Sequence, residues 1–315
     1  MIVTLTPNPS LDRALDVDRL VPGEVLRADA VHVHPGGKGI NVTRALVRHG
    51  VASRAVLPAG GADGARLVEL LASQGVPALA VPVAGDTRTN ITIAERSGAT
   101  TKVNAPGPAL APGEVTALLD ALAAVLDEGA RGLVAAGSLP AGAGDDLFVR
   151  VAALAAQRSV PFALDTSGDP LACAARAGVL DLLKPNDEEL AALVGRELVT
   201  VGDVVDAARE VIAAGTAHVL VSLGAHGALL VTEHSSWWAG GTPLVPLSTV
   251  GAGDMTLAGF LSADGSAADR LRTAVAWGRA AVRMPGTAVP DPSAIDTAAV
   301  RVVEAPDPRL TPKEL

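Results

Sequence analysis

Four short segments carry residue types and spacings suited to chemistry on an anionic substrate. The densest is Thr249-Val250-Gly251-Ala252-Gly253-Asp254, which runs into a stretch read as a helix over Gly253–Ser262. Glycines ahead of a helix let backbone N–H groups converge on one point, and the helix N-terminus adds about half a positive charge there. Gly251, Ala252 and Gly253 are therefore candidates for an anion hole around phosphate oxygens. Asp254, at its edge, is placed to take a proton from a hydroxyl. The plainer alternative is a glycine turn with Asp254 as the helix cap.

The second segment, Pro35-Gly36-Gly37-Lys38-Gly39-Ile40-Asn41, again sets glycines before a helix, now with a lysine and an asparagine. A backbone cradle with an ammonium suits a polar anionic ligand; the alternative is a plain turn with Lys38 in solvent. The third is Lys184-Pro185-Asn186-Asp187-Glu188-Glu189, directly after a buried strand. Asn186 and Glu189 stand three apart at a helix start and share a face. Such an oxygen pair suits Mg²⁺ held through water while substrate phosphates complete the octahedron. The same spacing reads as a capping box, with Asn186 as N-cap and Glu189 as its partner, and one glutamate can do both. The fourth, Ser222-Leu223-Gly224-Ala225-His226-Gly227, follows a strand at His218–Val221. Gly224 and Gly227 there either let a nucleotide lie close to backbone or simply turn a hairpin.

Three common nucleotide architectures are not expected. Neither the phosphate loop ending in Gly-Lys-Ser/Thr nor the protein-kinase motif set is present. After the first strand the chain reads Thr6-Pro7-Asn8-Pro9 instead of Gly-x-Gly-x-x-Gly, so a dinucleotide-dependent oxidoreductase is not expected.

These segments must be positioned by a core almost free of aromatics. The 315 residues include no tyrosine, three phenylalanines and three tryptophans, yet 49% are hydrophobic, so Val, Leu, Ile and Ala fill the interior. Such residues suit the fully buried strands of a parallel sheet. The net charge of −9 argues against general nucleic-acid binding and requires any anion site to be made basic locally. Only four lysines occur, Lys38, Lys102, Lys184 and Lys313, in a chain that otherwise uses arginine. The first three therefore mark places that want a compact ammonium. Cys173 is the only cysteine, which fits a reducing compartment. No apolar run suggests a membrane span or a secretory signal, so a cytoplasmic protein is expected. The six histidines show no metal-ligand spacing; His32 and His34 read as surface, and Trp237, Trp238 and Trp277 as packing.

The periodicity predicts strands at Met1–Thr6, Ala55–Leu57, Gly132–Ala136, Phe162–Asp165, Leu182–Lys184, His218–Ser222 and Ala228–Val231. Helices are predicted at Ile40–His49, Gly64–Gln74, Glu114–Glu128, Leu147–Gln157, Asp187–Val194, Val204–Ala214, Gly253–Ser262 and Ala267–Arg283. This alternation argues for a parallel sheet with helices on both faces. Half-exposed alternation within 13–35, and a hairpin of Asn90–Glu95 with Thr100–Asn104, interrupt it and predict a small second sheet. That sheet, drawn from about 13–35 and 86–104, would sit as a lid over the carboxyl ends of the main strands. The whole chain, 1–315, reads as one domain, with a tail from Ala305 that frays.

Together and in this order the segments resemble the ribokinase-type (phosphofructokinase B) carbohydrate kinases, from Thr4 to about Pro290. The likeness is nearest the phosphosugar branch and, within it, the 1-phosphofructokinases. The opening Thr6-Pro7-Asn8-Pro9-Ser10-Leu11-Asp12 resembles that branch's start, which implies that Asp12 binds sugar hydroxyls. Gly36, Gly37, Lys38, Gly39 and Asn41 fall in its sugar-binding turn. Thr87-Arg88-Thr89-Asn90 and Lys102 to Pro108 resemble its lid strands, where Arg88 and Lys102 would meet the substrate phosphate and Asn90 the sugar. Ser138, in Gly137-Ser138-Leu139-Pro140, falls in the turn beneath the sugar. Lys184, Asn186, Ser222, Gly224, Gly227 and Thr249 map to the nucleotide region, Asn186 and Glu189 to Mg²⁺, and Gly251 to Asp254 to the anion hole and base.

The resemblance implies a ribokinase-like three-layer α/β fold with a β-sheet lid, and ATP and Mg²⁺ as cofactors. The reaction it implies is phosphorylation of fructose 1-phosphate to fructose 1,6-bisphosphate. A tagatose-6-phosphate or 6-phosphofructokinase, or a non-catalytic sugar-phosphate sensor, are the alternatives. A homodimer through the lid sheet is expected, because its edges and face are otherwise open. Three positions depart from the pattern. Met255 stands where a small residue is expected. Val25 stands where a related 6-phosphofructokinase branch can carry lysine, and Lys38 where that branch has glycine; both lean away from fructose 6-phosphate.

Overall fold

The computed structural model describes all 315 residues. Its strands are β1 (Ile2–Leu5), β2 (Ser10–Val17), β3 (Ala30–Gly36), β4 (Ser53–Ala59), β5 (Ala78–Pro82), β6 (Arg88–Glu95), β7 (Thr100–Val103), β8 (Gly132–Ala136), β9 (Phe162–Asp165), β10 (Leu182–Leu183), β11 (His218–Ser222), β12 (Ala228–Val231), β13 (Ser236–Gly240) and β14 (Arg301–Glu304). Its helices are α1 (Lys38–Arg48), α2 (Gly61–Ser73), α3 (Pro112–Asp127), α4 (Leu147–Ala156), α5 (Gly168–Ala177), α6 (Asp187–Val194), α7 (Val201–Ala213), α8 (Ala252–Ser262) and α9 (Ala267–Ala281).

Along β1, Val3 and Leu5 enter one core while Ile2 enters another; along β8, Leu133 and Ala135 part from Val134 and Ala136 in the same way. Successive strand residues point to opposite faces, so a run buried at every position needs cover on both sides. Helices α3 to α7 supply it on one face. Helices α1, α8 and α9 supply it on the other. A third cluster joins Ile40 of α1 and Leu67 and Leu71 of α2 to Leu57 of β4 and Leu11 of β2, all fully buried.

The ten-stranded sheet runs β14-β13-β12-β11-β10-β9-β8-β1-β4-β5. From β5 to β11 neighbours are parallel, and β12, β13 and β14 continue it antiparallel. From β1 the chain steps outward through β4 and β5, then proceeds the other way through β8 to β11. That reversal leaves a crevice at the carboxyl ends of the strands beside β1. The small sheet, β3-β2-β6-β7, pairs β2 with β6 in parallel, flanked by antiparallel partners. No helix is long and apolar enough to cross a membrane.

The parallel sheet, its two helical layers and the small second sheet match the sequence reading. Across 13–35 the strands are Ser10–Val17 and Ala30–Gly36, which overrun it at either end and are joined by a loop. Elements β5, α5, β13 and β14 were not foreseen. Nor does the tail fray. β14 pairs with β13, with Trp237 opposite Glu304. Beyond it, the Val201 and Gly202 N–H groups donate to the carbonyls of Leu310 and Pro308, and Leu310 and Leu315 pack on the larger core. The tail's prolines and charges suggested disorder, but these apolar residues have a surface to cover.

Candidate active site

The crevice is a cleft of about 510 Å³ in which Val250 is the only hydrophobic lining residue. Small-molecule sites are mostly apolar, so a lining this polar suits a strongly charged ligand. The floor comes from residues at the carboxyl ends of β1, β8, β9, β10 and β11; the small sheet and the first turns of α1 and α8 form the walls.

Chain enters α8 through Gly251, the N-cap, with φ 79°, a left-handed conformation that glycine adopts without strain. Asp254 is thus the third helical residue, and it makes no capping bond; the alternative of Asp254 as N-cap does not hold. Its side chain is buried, 6% exposed, and Oδ2 accepts a 2.8 Å hydrogen bond from Asn41 Nδ2. Burial pushes the carboxyl up to about 6, helped by the nearby charge of Asp165 and opposed by the Asn41 hydrogen bond and by Lys38 and Lys184.

Asp165 is the residue the sequence reading missed. It ends β9, is 1% exposed, and stands between two lysines. Lys38 Nζ donates to Oδ1 at 2.7 Å, and Lys184 Nζ lies 2.9 Å from Oδ2. Burial opposes its charge, but the two ammonium groups outweigh that and hold its carboxyl below the usual range. Lys38 is held above its ordinary value despite burial, chiefly by Asp165 and then by Asp254 and Glu189. A carboxylate closing a buried apolar strand, Phe162-Ala163-Leu164-Asp165, was the available signal. Its lysine partners are remote in sequence and gave none.

At the other end, Asp12 Oδ1 accepts from Ser10 Oγ at 2.7 Å and Asn90 Nδ2 at 3.0 Å. Arg88 donates from Nη1 to the Ala105 carbonyl and from Nη2 to the Asn8 carbonyl, while its Nε is buried without a partner. Asn8 Nδ2 donates to the Pro106 carbonyl and to Ser138 Oγ. Lys102 is exposed, lines the cleft and has no ion-pair partner. The structure therefore separates the lysines: Lys102 faces the cleft from the small sheet, whereas Lys38 and Lys184 meet at Asp165.

Asn186 and Glu189 both line the cleft, but the capping box of the second reading is present. Asn186 Oδ1 accepts from the Glu189 N–H at 2.6 Å, and Glu189 Oε2 accepts from the Asn186 N–H at 2.9 Å. The Asn186 oxygen thus already accepts one hydrogen bond, and Glu189 Oε1 is left without a protein partner. No group of three or more His, Cys, Asp or Glu is placed to hold a metal. This set fits Mg²⁺ carried mainly by waters and phosphates, with Glu189 at its outer shell.

Gly37, Ser222, Gly251 and Gly253 also line the cleft, and Ala252, Thr249, Gly224, Gly227, Gly36 and Gly39 do not. Gly36 backs the site: a Cβ there would lie 2.4 Å from the Asp12 carboxyl. Gly39 lets α1 close on β1, since a Cβ would fall 2.5 Å from Thr6 Oγ1. Gly227, at φ 88°, packs on the β13 backbone, 2.0 Å from the Ala239 carbonyl oxygen for a Cβ, and turns β11 into β12. Lining residues not singled out beforehand include Thr6, Asn8, Ser10, Asp165, Ser167 and Thr287.

Residues 6–294 match the model of the pfkB family carbohydrate kinases. The ATP-dependent 6-phosphofructokinase isozyme 2 of Mycobacterium tuberculosis is 41% identical over 292 residues, 91% of this chain and 85% of that one. The 1-phosphofructokinase of Xanthomonas campestris is 38% identical over 267 residues, 83% of each. The crystal structure of phosphofructokinase-2 from Escherichia coli in complex with substrates and products superposes with a TM-score of 0.87 at 37% identity, covering 93% of this chain and 96% of that one. On this match and on the fold it shares, the chain belongs to the pfkB family of carbohydrate kinases.

Proposed function

We propose that this kinase transfers the terminal phosphoryl group of ATP to fructose 1-phosphate, giving fructose 1,6-bisphosphate. The observation that carries the reading is Asp254: a buried carboxylate on the first turn of α8, held by Asn41 and opening on a polar cleft. Asp254 takes the proton of the attacking hydroxyl, whose oxygen forms the new P–O bond as the bond to ADP breaks. The N–H groups of Gly251 and Gly253, the two residues of this turn that line the cleft, would face the charge on the transferring group. Lys184 and Lys38, fixed by Asp165, add two ammonium groups at that end. ATP runs from there past Ser222 toward Gly224 and Gly227, with Thr249 at its flank. Mg²⁺ bound with the nucleotide would neutralise phosphate charge, and Glu189, steered by Asn186, would hold it through water.

The sugar lies between Asp12, Asn90, Asn41 and the Gly37 turn, above Ser138. Its own phosphate meets Lys102 and Arg88 on the small sheet. Closure of that sheet as a lid would exclude water and suppress ATP hydrolysis. Supporting this, Asp12, Arg88, Asn90 and Lys102 reach the cleft from its strands.

A second reading, phosphorylation of fructose 6-phosphate or tagatose 6-phosphate, draws on the 41% identity to a 6-phosphofructokinase. It gains from the placement of Lys38, which pairs with Asp165 and so argues less for recognition of the acceptor's phosphate. A sugar-phosphate sensor would be expected to lack Asp254 or the glycine turn, and both are assembled. The test is a coupled ADP-release assay with Mg-ATP against fructose 1-phosphate, fructose 6-phosphate, tagatose 6-phosphate and fructose. A dominant kcat/KM for fructose 1-phosphate is expected. Preference for a 6-phosphate would overturn the sugar-pocket reading alone, and no turnover with any would overturn the phosphofructokinase reading in favour of another acceptor or the sensor.

We also propose a homodimer through the small sheet. Its face away from the cleft carries Val31, Ile91 and Val103, respectively 55%, 37% and 58% exposed. Val33, Arg13, Ile91 and Val103 lie in one row across the four strands.

A further inference from the structure

One turn along α1 from Asn41, Arg44 reaches parts of the site that come from different regions of the chain. Its Nη1 donates to Asn41 Oδ1 at 3.3 Å and to the Thr287 carbonyl at 3.2 Å, and its Nε donates to Gln74 Oε1 at 3.0 Å. Thr287 lines the cleft and packs over the anion turn, where a Cβ on Gly251 would lie 3.5 Å from it. We propose that Arg44 is a positioning residue that locks the Asn41 amide against Asp254 and ties the Thr287 loop down over Gly251. The inference rests on the reading of Asp254 as the base.

An amide has donors at one end and an acceptor at the other. Asn41 stabilises the Asp254 carboxylate only while its nitrogen faces it; turned over, its oxygen would repel the same carboxylate. By binding Oδ1, Arg44 favours the productive orientation with a charge-assisted bond. A planar fork can serve Asn41, Thr287 and Gln74 together, which a lysine cannot. Of the other charged groups around these residues, Lys38 shares α1 and the rest come from elsewhere in the chain. Asp165, Lys38 and Lys184 act on Asp254. Asp12 and His34 lie near Arg44. Arg44 makes no hydrogen bond to Asp254 itself and meets it through the Asn41 amide.

The test compares pH profiles of kcat/KM, on the phosphosugar the wild type turns over, for Arg44→Met, Arg44→Lys, Asn41→Ala and Arg44→Met/Asn41→Ala. Arg44→Met should lower kcat roughly ten- to hundredfold, the size of a lost hydrogen bond to a charged group. Its acid limb should move to higher pH, because Asp254 loses a donor that favours its charged form. Arg44→Lys should move the limb the same way by less, and it carries the test if Arg44→Met does not fold. In the Asn41→Ala background, removing Arg44 should move the limb no further. An unmoved limb in both Arg44 variants, or a full shift without Asn41, would overturn the proposal. Asp254→Asn separates the two readings. If it retains turnover, the base assignment falls; if it is inactive while the Arg44 limb is unmoved, only the positioning role falls.

Discussion

Two carboxylates near the centre of the cleft are driven in opposite directions by their surroundings. Asp165 is buried between two ammonium groups and stays ionised, while Asp254 is buried with one amide donor and a like charge nearby, and rises to about 6. Pairs pushed apart in this way mark acid–base assignments. A base works deprotonated, so kcat/KM should fall as pH drops below about 6 and level off above it; a profile flat from pH 5 to 8 would sink the assignment. Stability runs the other way. Folded Asp254 holds its proton more tightly than the unfolded chain does, so its contribution is present at low pH and lost as pH rises through about 6. Asp254→Asn, neutral at every pH, should therefore have a thermal midpoint at pH 8 at least as high as the wild type's while losing about 10²–10⁴ in turnover. At this scale, sequence showed Asp254 because its signal is local, glycines before a helix. Asp165 was illegible because its meaning comes from Lys38 and Lys184, which only the fold brings to it.

Elements decide how much each side chain can do. At the start of α6 a single residue, Glu189, closes the capping box with Oε2 and leaves Oε1 toward the cleft. Glu189→Gln keeps a carbonyl oxygen for the Asn186 N–H but loses the charge. It should melt with the wild type and need more Mg²⁺ for half-maximal rate. Glu189→Ala loses both, with an added stability cost of about 0.3–1.5 kcal/mol. An unchanged Mg²⁺ response in Glu189→Gln would remove Glu189 from the metal's outer shell. The elements legible in sequence were those with an apolar rhythm and clear stops, such as β8, α3 and α7. Those missed had weak local signals. β5 is short and alanine-rich between prolines, α5 opens on Gly168-Asp169-Pro170, and β13 and β14 are short strands added antiparallel to β12 and β13 at the end of the sheet.

The whole molecule divides the site between two bodies of structure. The proposed phosphoryl-transfer end stands on the large sheet and α8, while much of the proposed sugar end stands on β2, β6 and β7. Leu11, fully buried against α2 and β4, anchors the small sheet at one end of β2. Strand alternation then forces a consequence: with Asn90 and Lys102 facing the cleft, Ile91 and Val103 must face away from it. An apolar sheet face left in water is a partner-binding surface, and one copy's face can pack on another's about a two-fold axis. Ile91→Asp/Val103→Asp should shift the protein from dimer to monomer in sedimentation. The same change should raise KM for the phosphosugar more than KM for ATP, since the strands that lose support carry Asn90 and Lys102. A wild type that sediments as a monomer at micromolar concentration would show that the face is not a self-interface. A dissociated variant with an unaltered KM would show instead that β6 and β7 hold their shape without a partner, and that the site is complete within one chain.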